Sequence, residues 1–215
     1  MYRGQGEDFR TRGTRRLGPR SSIYPTIFRQ GNGGLLADQK IRVRRFEHLD
    51  EYSAQLEQKY KFGGRPRVRM FEEIRWAILQ HYKKTPTPLV DVTESLLVAA
   101  SFAYFHRQSN VGYLFAFGFP HRHGSISYHA DDQLVLVRLA STCPPEARRA
   151  HYQQACFAGH FPLINYGSNG HNLANRLVAK FRLDFDNFWT DNFRPLPEAI
   201  LYPPRDAIQK FVDSL

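Results

Sequence analysis

Three short segments of this chain hold residue types that can bind or cut a phosphate-bearing molecule. In Tyr2-Arg3-Gly4-Gln5 an arginine stands between an aromatic residue and a glycine, and a guanidinium at a strand end can hold a phosphate or a ribose in bidentate fashion. The second segment runs from Gln80-His81-Tyr82 through Pro86-Thr87-Pro88-Leu89-Val90-Asp91-Val92-Thr93 and Ser95 to Phe102-Ala103. Here Gln, His, Thr, Asp and Ser interrupt an apolar stretch, and polar groups inside a core need hydrogen-bond partners or a ligand. The third comprises Arg149, Gln153, Ala155 and Phe157. The first two segments also have a plainer reading: Arg3 as a surface charge, and the second segment as a satisfied network of caps and turns.

The elements that must position these residues are legible as patterns. Residues 6–22 are rich in Gly, Arg and Ser and read as a basic loop, and Ile23–Phe28 reads as an ordered edge. From Ala37 to about Tyr60 the apolar residues Ile41, Phe46, Leu49, Tyr52 and Leu56 recur at helical steps, and Phe62-Gly63-Gly64-Arg65-Pro66 ends that helix. A second helix is predicted from Arg69 to about Tyr82. Thr85-Pro86-Thr87-Pro88 must then be extended, because a proline lacks the amide donor and restricts its predecessor. Leu89–Thr93 reads as a buried strand, and Ser95–Phe105 as a buried helix capped by Thr93 or Ser95. Tyr113–Phe119 and Gln133–Leu139 are predicted to pair as a hairpin across a polar loop, His121–Asp132. Further extended pieces are expected at 152–158, 161–164 and 180–185, and a terminal helix at 205–215. Helices come first and strands later, without regular alternation, so the pattern favours a single α+β domain over residues 1–215, with N-terminal helices packed on antiparallel sheet.

Composition narrows the chemistry. The chain has 215 residues, of which 42% are apolar and 14% aromatic, enough for one sizeable core. No run approaches the roughly 18 apolar residues of a spanning helix, and Met1–Gln5 has no apolar signal core, so a cytoplasmic protein without a membrane segment is expected. Cys143 and Cys156 are expected to be reduced thiols. Gly31-Asn32-Gly33-Gly34 lacks the spacing of a dinucleotide fingerprint, and neither a phosphate-binding P-loop nor a Gly-x-Ser-x-Gly elbow is present. His121, His123 and His129 have no carboxylate pair spaced to complete a metal site, so no metal is assigned. The net charge is +10, and residues 1–46 alone carry eleven basic against three acidic side chains. That field attracts any polyanion, including nucleic acid through residues 10–45 and a phosphate-bearing small ligand.

Taken in order, the aromatic-Arg-Gly opening, the Gln80-His81-Tyr82 to Phe102-Ala103 segment and the Arg149-to-Phe157 segment resemble the three blocks of FRG-domain proteins. Tyr24–Arg29 is similar to the segment that follows the first block, so the resemblance spans most of residues 2–160. The sequence departs from the pattern in one extra residue at Lys83-Lys84-Thr85, in Val92 for an aromatic and in Leu96 for a proline. The family's first strand would normally begin before Tyr2. The resemblance implies an ADP-ribosyltransferase-like split-sheet core that uses NAD as its substrate, for ADP-ribosyl transfer or NAD glycohydrolysis, in a bacterial toxin or phage-defence role. It implies that Arg3, with Gly4, holds the pyrophosphate or adjacent ribose, that Thr93 and Ser95 brace Arg3 and the nicotinamide ribose, and that His81, Tyr82 and Thr87 also bind the nucleotide. Tyr82, Phe102 or Tyr104 would stack on the nicotinamide. Gln153 would take the place of the catalytic glutamate. A neutral glutamine supplies no charge to the oxocarbenium ion that forms, so Asp91 or Glu94 would have to provide the anion. Two other readings stand beside this one: a basic nucleic-acid-binding module and an inactive interaction domain.

Overall fold

The computed structural model describes residues 1–11, 20–31, 33–162 and 170–215. Along the chain the elements are β1 (Tyr2–Gln5), a 3-10 turn (Thr26–Phe28), α1 (Gln39–Lys59), α2 (Arg65–Met70), α3 (Glu72–His81), β2 (Leu89–Thr93), α4 (Leu96–Phe105), β3 (Val111–Phe117), β4 (Ile126–His129), β5 (Leu134–Arg138), α5 (Arg148–Tyr152), β6 (Ala155–His160), β7 (Leu177–Asp184), α6 (Glu198–Leu201) and α7 (Ala207–Asp213). This is the expected α+β arrangement: helices packed on one sheet whose order is β4-β5-β6-β2-β1-β3-β7, with every neighbouring pair antiparallel.

Local chemistry starts the helices where the pattern places them. Asp38 caps α1 by accepting the N–H groups of Lys40 and Ile41, and Ser95 caps α4 by accepting that of Val98. The faces of β2 alternate as a strand's must. Leu89 packs with α1, α3 and Phe157 in the largest core, whereas Val90 and Val92 pack with Phe115, Leu136 and Cys156 on the other side. A third cluster joins α4 to β3 and β7 through Ala99, Ala100, Ala103, Leu114, Leu183 and Phe185.

Several expectations are corrected. The helix predicted from Arg69 begins earlier, at Arg65, and breaks at Phe71, which is extended (φ −116°, ψ 116°). Pro66 lies in the first turn of α2, where its missing amide costs nothing, so the proline starts a helix here rather than only ending one. Tyr113–Phe119 does not pair with Gln133–Leu139. Part of the predicted polar loop is itself a strand, and β4 pairs with β5 from Ile126↔Val137 to His129↔Leu134, while β3 lies between β1 and β7. The extended stretch predicted at 152 starts only at Ala155, because Arg148–Tyr152 is helical and Gln153 is the residue that ends that helix. Phe161 and Pro162 bend away from β6, and residues 163–164 of that expectation lie outside the described residues.

Two features of β1 open the middle of the sheet. It pairs with β3 along its whole length but with β2 only at Tyr2↔Thr93. Its Gly4 lies so close to α4 that a Cβ there would stand 1.7 Å from the carbonyl oxygen of Ala99. Beyond that single pair, β1 and β2 separate.

Candidate functional site

The gap between β1 and β2 leads into a cavity of about 520 Å³, walled by α3, the end of α4, α5 and Tyr202, within the range of about 300–1,000 Å³ typical of small-molecule sites. Arg3, Arg29, Lys83, Lys84 and Arg149 line it, and Asp91 is the one acidic side chain among the described lining residues. Lys84 turns its ammonium over the ring of Tyr52, 4.8 Å from the centroid.

Where the backbone ladder between β1 and β2 stops, a side chain takes over. Arg3 Nη1 donates to the carbonyl oxygen of Asp91 at 2.7 Å and lies 3.7 Å from the Asp91 carboxylate. The same carboxylate accepts a hydrogen bond from Gln80 Nε2 at 2.8 Å, and Gln80 Oε1 accepts in turn from the hydroxyls of Thr26 and Thr87. Asp91 is therefore fixed from two sides yet remains 46% exposed, whereas the Arg3 side chain is 15% exposed. Burial lowers the pKa of Arg3 and Asp91 raises it again; an arginine remains protonated throughout.

Among the described residues, three buried nitrogens on the cavity wall have no hydrogen-bond partner: Arg3 Nε, His81 Nε2 and Arg149 Nε. Each such group costs about 1–3 kcal/mol when left unsatisfied, and an occupant rich in acceptor oxygens would relieve that cost. His81 is 3% exposed, and burial followed by the charge of Arg149 holds its pKa well below 6.5, so its imidazole is neutral. Arg149 Nη1 bonds to Gln209 Oε1 at 3.1 Å, and its guanidinium sits 5.0 Å from the Tyr202 ring. Phe102, His106 and Tyr202 complete an aromatic wall, with Phe102 and His106 nearly parallel at 5.8 Å and the Tyr202 hydroxyl 3.3 Å from His106 Nε2. Burial pushes the lining thiol of Cys156 up to about 11, so it is not a thiolate near neutral pH.

Of the residues singled out from sequence, the fold brings Arg3, Gly4, His81, Asp91, Thr93 and Gln153 to this cavity. Thr93 donates to the backbone carbonyl of Gln153 at 2.8 Å, and Gln153 Nε2 donates to the carbonyl of Leu201 at 2.6 Å. Gln153 thus ties β2 and α6 together. Ser95, Tyr82, Thr87, Glu94 and Tyr104 lie off the lining. Ser95 caps α4, Tyr82 is buried with its hydroxyl on Asp206, and Thr87 is buried beneath Gln80. Glu94 pairs with Arg122 and, at 3.4 Å, with Arg138. Tyr104 packs among Phe185, Trp189 and Arg107 instead of facing the cavity. The sequence reading passed over Arg29, Lys83, His106 and Tyr202. Arg29 had a local signal in the segment after the first block; Tyr202 had none, because it joins His106 and Arg149 only through folding.

The basic N-terminal stretch is partly accounted for. Arg3 and Arg29 face the cavity, Arg45 Nη1 bonds to the carbonyls of Thr26, Ile27 and Arg29, and Arg10 pairs with Asp8. Arg12, Arg15 and Arg16 lie outside the described residues. Among the described residues no helix is long and apolar enough to cross a membrane.

The FRG domain family model matches residues 1–111 of the 215, so the chain belongs to the FRG domain family. The match covers β1, Asp91 and Thr93 and stops before the segment with Arg149 and Gln153. No curated protein and no solved structure matches the chain.

Proposed function

We propose that the cavity binds NAD as a substrate and that the chain is an enzyme of the ADP-ribosyltransferase or NAD glycohydrolase kind. The observation that carries this reading is a carboxylate, Asp91, alone among the described lining residues, fixed beside Arg3 in a cavity that also presents four further cations and several aromatic rings. A dinucleotide diphosphate supplies acceptor oxygens for Arg3 Nε and for Arg29, and the aromatic wall offers faces for a base. Breaking the bond between nicotinamide and ribose develops positive charge on the sugar, which a nearby carboxylate stabilises. Asp91 is the group for that role because it is on the lining: Glu94 lies off it, paired with Arg122 and Arg138, and the side-chain amide of Gln153 is bonded to Leu201. Gln153 and Thr93 brace the wall. The parting of the sheet at Tyr2↔Thr93, with Arg3 on one lip and Asp91 on the other, supports the likeness to an ADP-ribosyltransferase core.

The test is release of nicotinamide from NAD, followed by chromatography, for the wild type and Asp91→Asn. Turnover that falls steeply in the variant while NAD still binds supports the reading; no binding of NAD by the wild type in calorimetry overturns it.

A further inference from the structure

Lys83 occupies a position that glycine usually fills. α3 ends in a Schellman motif, with the N–H of Lys84 on the carbonyl of Leu79 (2.9 Å) and that of Lys83 on Gln80 (3.1 Å). Lys83 itself sits at φ 57°, in the left-handed region where a Cβ is strained. A strained residue on a cavity wall points to a demand that overrides backbone preference. What Lys83 brings to this wall and glycine cannot is charge. The Lys83 ammonium lies 5.6 Å from the Tyr202 ring, and the Arg149 guanidinium lies 5.0 Å from the same ring.

Among the described residues neither cation forms an ion pair with a carboxylate. Asp206 flanks Arg149, but its oxygens accept from the Tyr82 hydroxyl and from the backbone N–H groups of Arg149 and Gln209. Arg149 Nε is buried without a partner. The cavity thus has two cationic walls. On the strand side, Arg3 forms an ion pair with Asp91; on the helix side, Lys83 and Arg149 form none among the described residues, and Asp91 and Asp206 reach Arg149 only as more distant charges.

We propose that Lys83 and Arg149 form a second anion subsite, and that the nucleotide held here carries a phosphate monoester in addition to its diphosphate, as NADP does. This rests on the reading of the cavity as a dinucleotide site. The diphosphate brings two negative charges to Arg3 and Arg29, and a monoester brings about 1.5–2 more, which Lys83 and Arg149 meet.

Calorimetric titration of the full chain with NAD and with NADP separates the two claims. The wild type should bind NADP at least tenfold more tightly than NAD, with the advantage shrinking as salt is raised. In Lys83→Gln the NADP-to-NAD ratio should fall to about threefold or less. Lys83→Gly relieves the backbone strain, so it should unfold no earlier than the wild type while losing the same preference, which excludes misfolding as the cause. Equal affinities in the wild type, or a ratio that survives Lys83→Gln, would overturn the second subsite and leave NAD binding standing. If neither nucleotide binds, both readings fall.

Discussion

Arg3 does two jobs that a lysine cannot do together. One nitrogen closes the gap in the β1–β2 ladder on the Asp91 carbonyl, while Nε stays buried and free to donate. A lysine offers a point charge without that fork, so Arg3→Lys should weaken NAD binding by about tenfold, or about 1.4 kcal/mol, read by calorimetry. Asp91→Asn preserves the acceptor for Gln80 but removes the charge. It should cut nicotinamide release by about 10²–10³-fold, the scale for losing one electrostatic stabiliser, with affinity within a few-fold of wild type. The sequence made Asp91 and Thr93 visible because they lie in a short polar interruption of apolar chain, and Arg3 through its place between an aromatic residue and a glycine. The bond of Gln153 was not visible, since Leu201 lies 48 residues away and offers a backbone carbonyl that residue type does not reveal.

At the scale of elements, β1 and α4 meet through a glycine. A methyl group at Gly4 would stand 1.7 Å from the Ala99 carbonyl oxygen and 2.8 Å from the Ala103 nitrogen, so Gly4→Ala must push β1 off α4. We expect a loss of about 3 kcal/mol or an insoluble product, measured by urea unfolding. Lys83→Gly should act in the opposite direction, gaining about 1 kcal/mol by relieving the left-handed residue at the end of α3. Elements whose signals are local were legible: α1 has helical periodicity, α4 is an apolar run behind a cap residue, and β2 is a short apolar strand bounded by turn residues. Pairing was not. Nothing in the apolar runs of β3 and β5 says that β3 joins β1 and β7 while β5 pairs with β4, because pairing uses backbone groups that every strand carries and joins segments far apart in sequence. The break at Phe71 was equally hidden, since the apolar spacing runs through it.

Across the whole molecule, the cavity is assembled from segments spread from Tyr2 to Tyr202, so its integrity follows global stability. His81 links that stability to pH. Its folded pKa lies well below the unfolded value of 6.5, chiefly through burial. Between those two values the unfolded chain binds the extra proton, so the contribution is intact above pH 6.5 and is lost as pH falls toward the folded pKa, at up to about 1.4 kcal/mol per pH unit. His106 and His171, lowered for the same reason, act in the same direction. Urea midpoints should therefore drop from pH 7 to pH 5, and His81→Gln, whatever its absolute stability, should show a shallower drop. A nucleotide that fills the cavity should raise the unfolding temperature by mass action. The most direct test of the account is nicotinamide release from NAD by the full chain. We predict turnover that Asp91→Asn cuts by about 10²–10³-fold while NAD still binds; a wild-type protein that neither binds nor cleaves NAD, or an Asp91→Asn variant as active as the wild type, would contradict it.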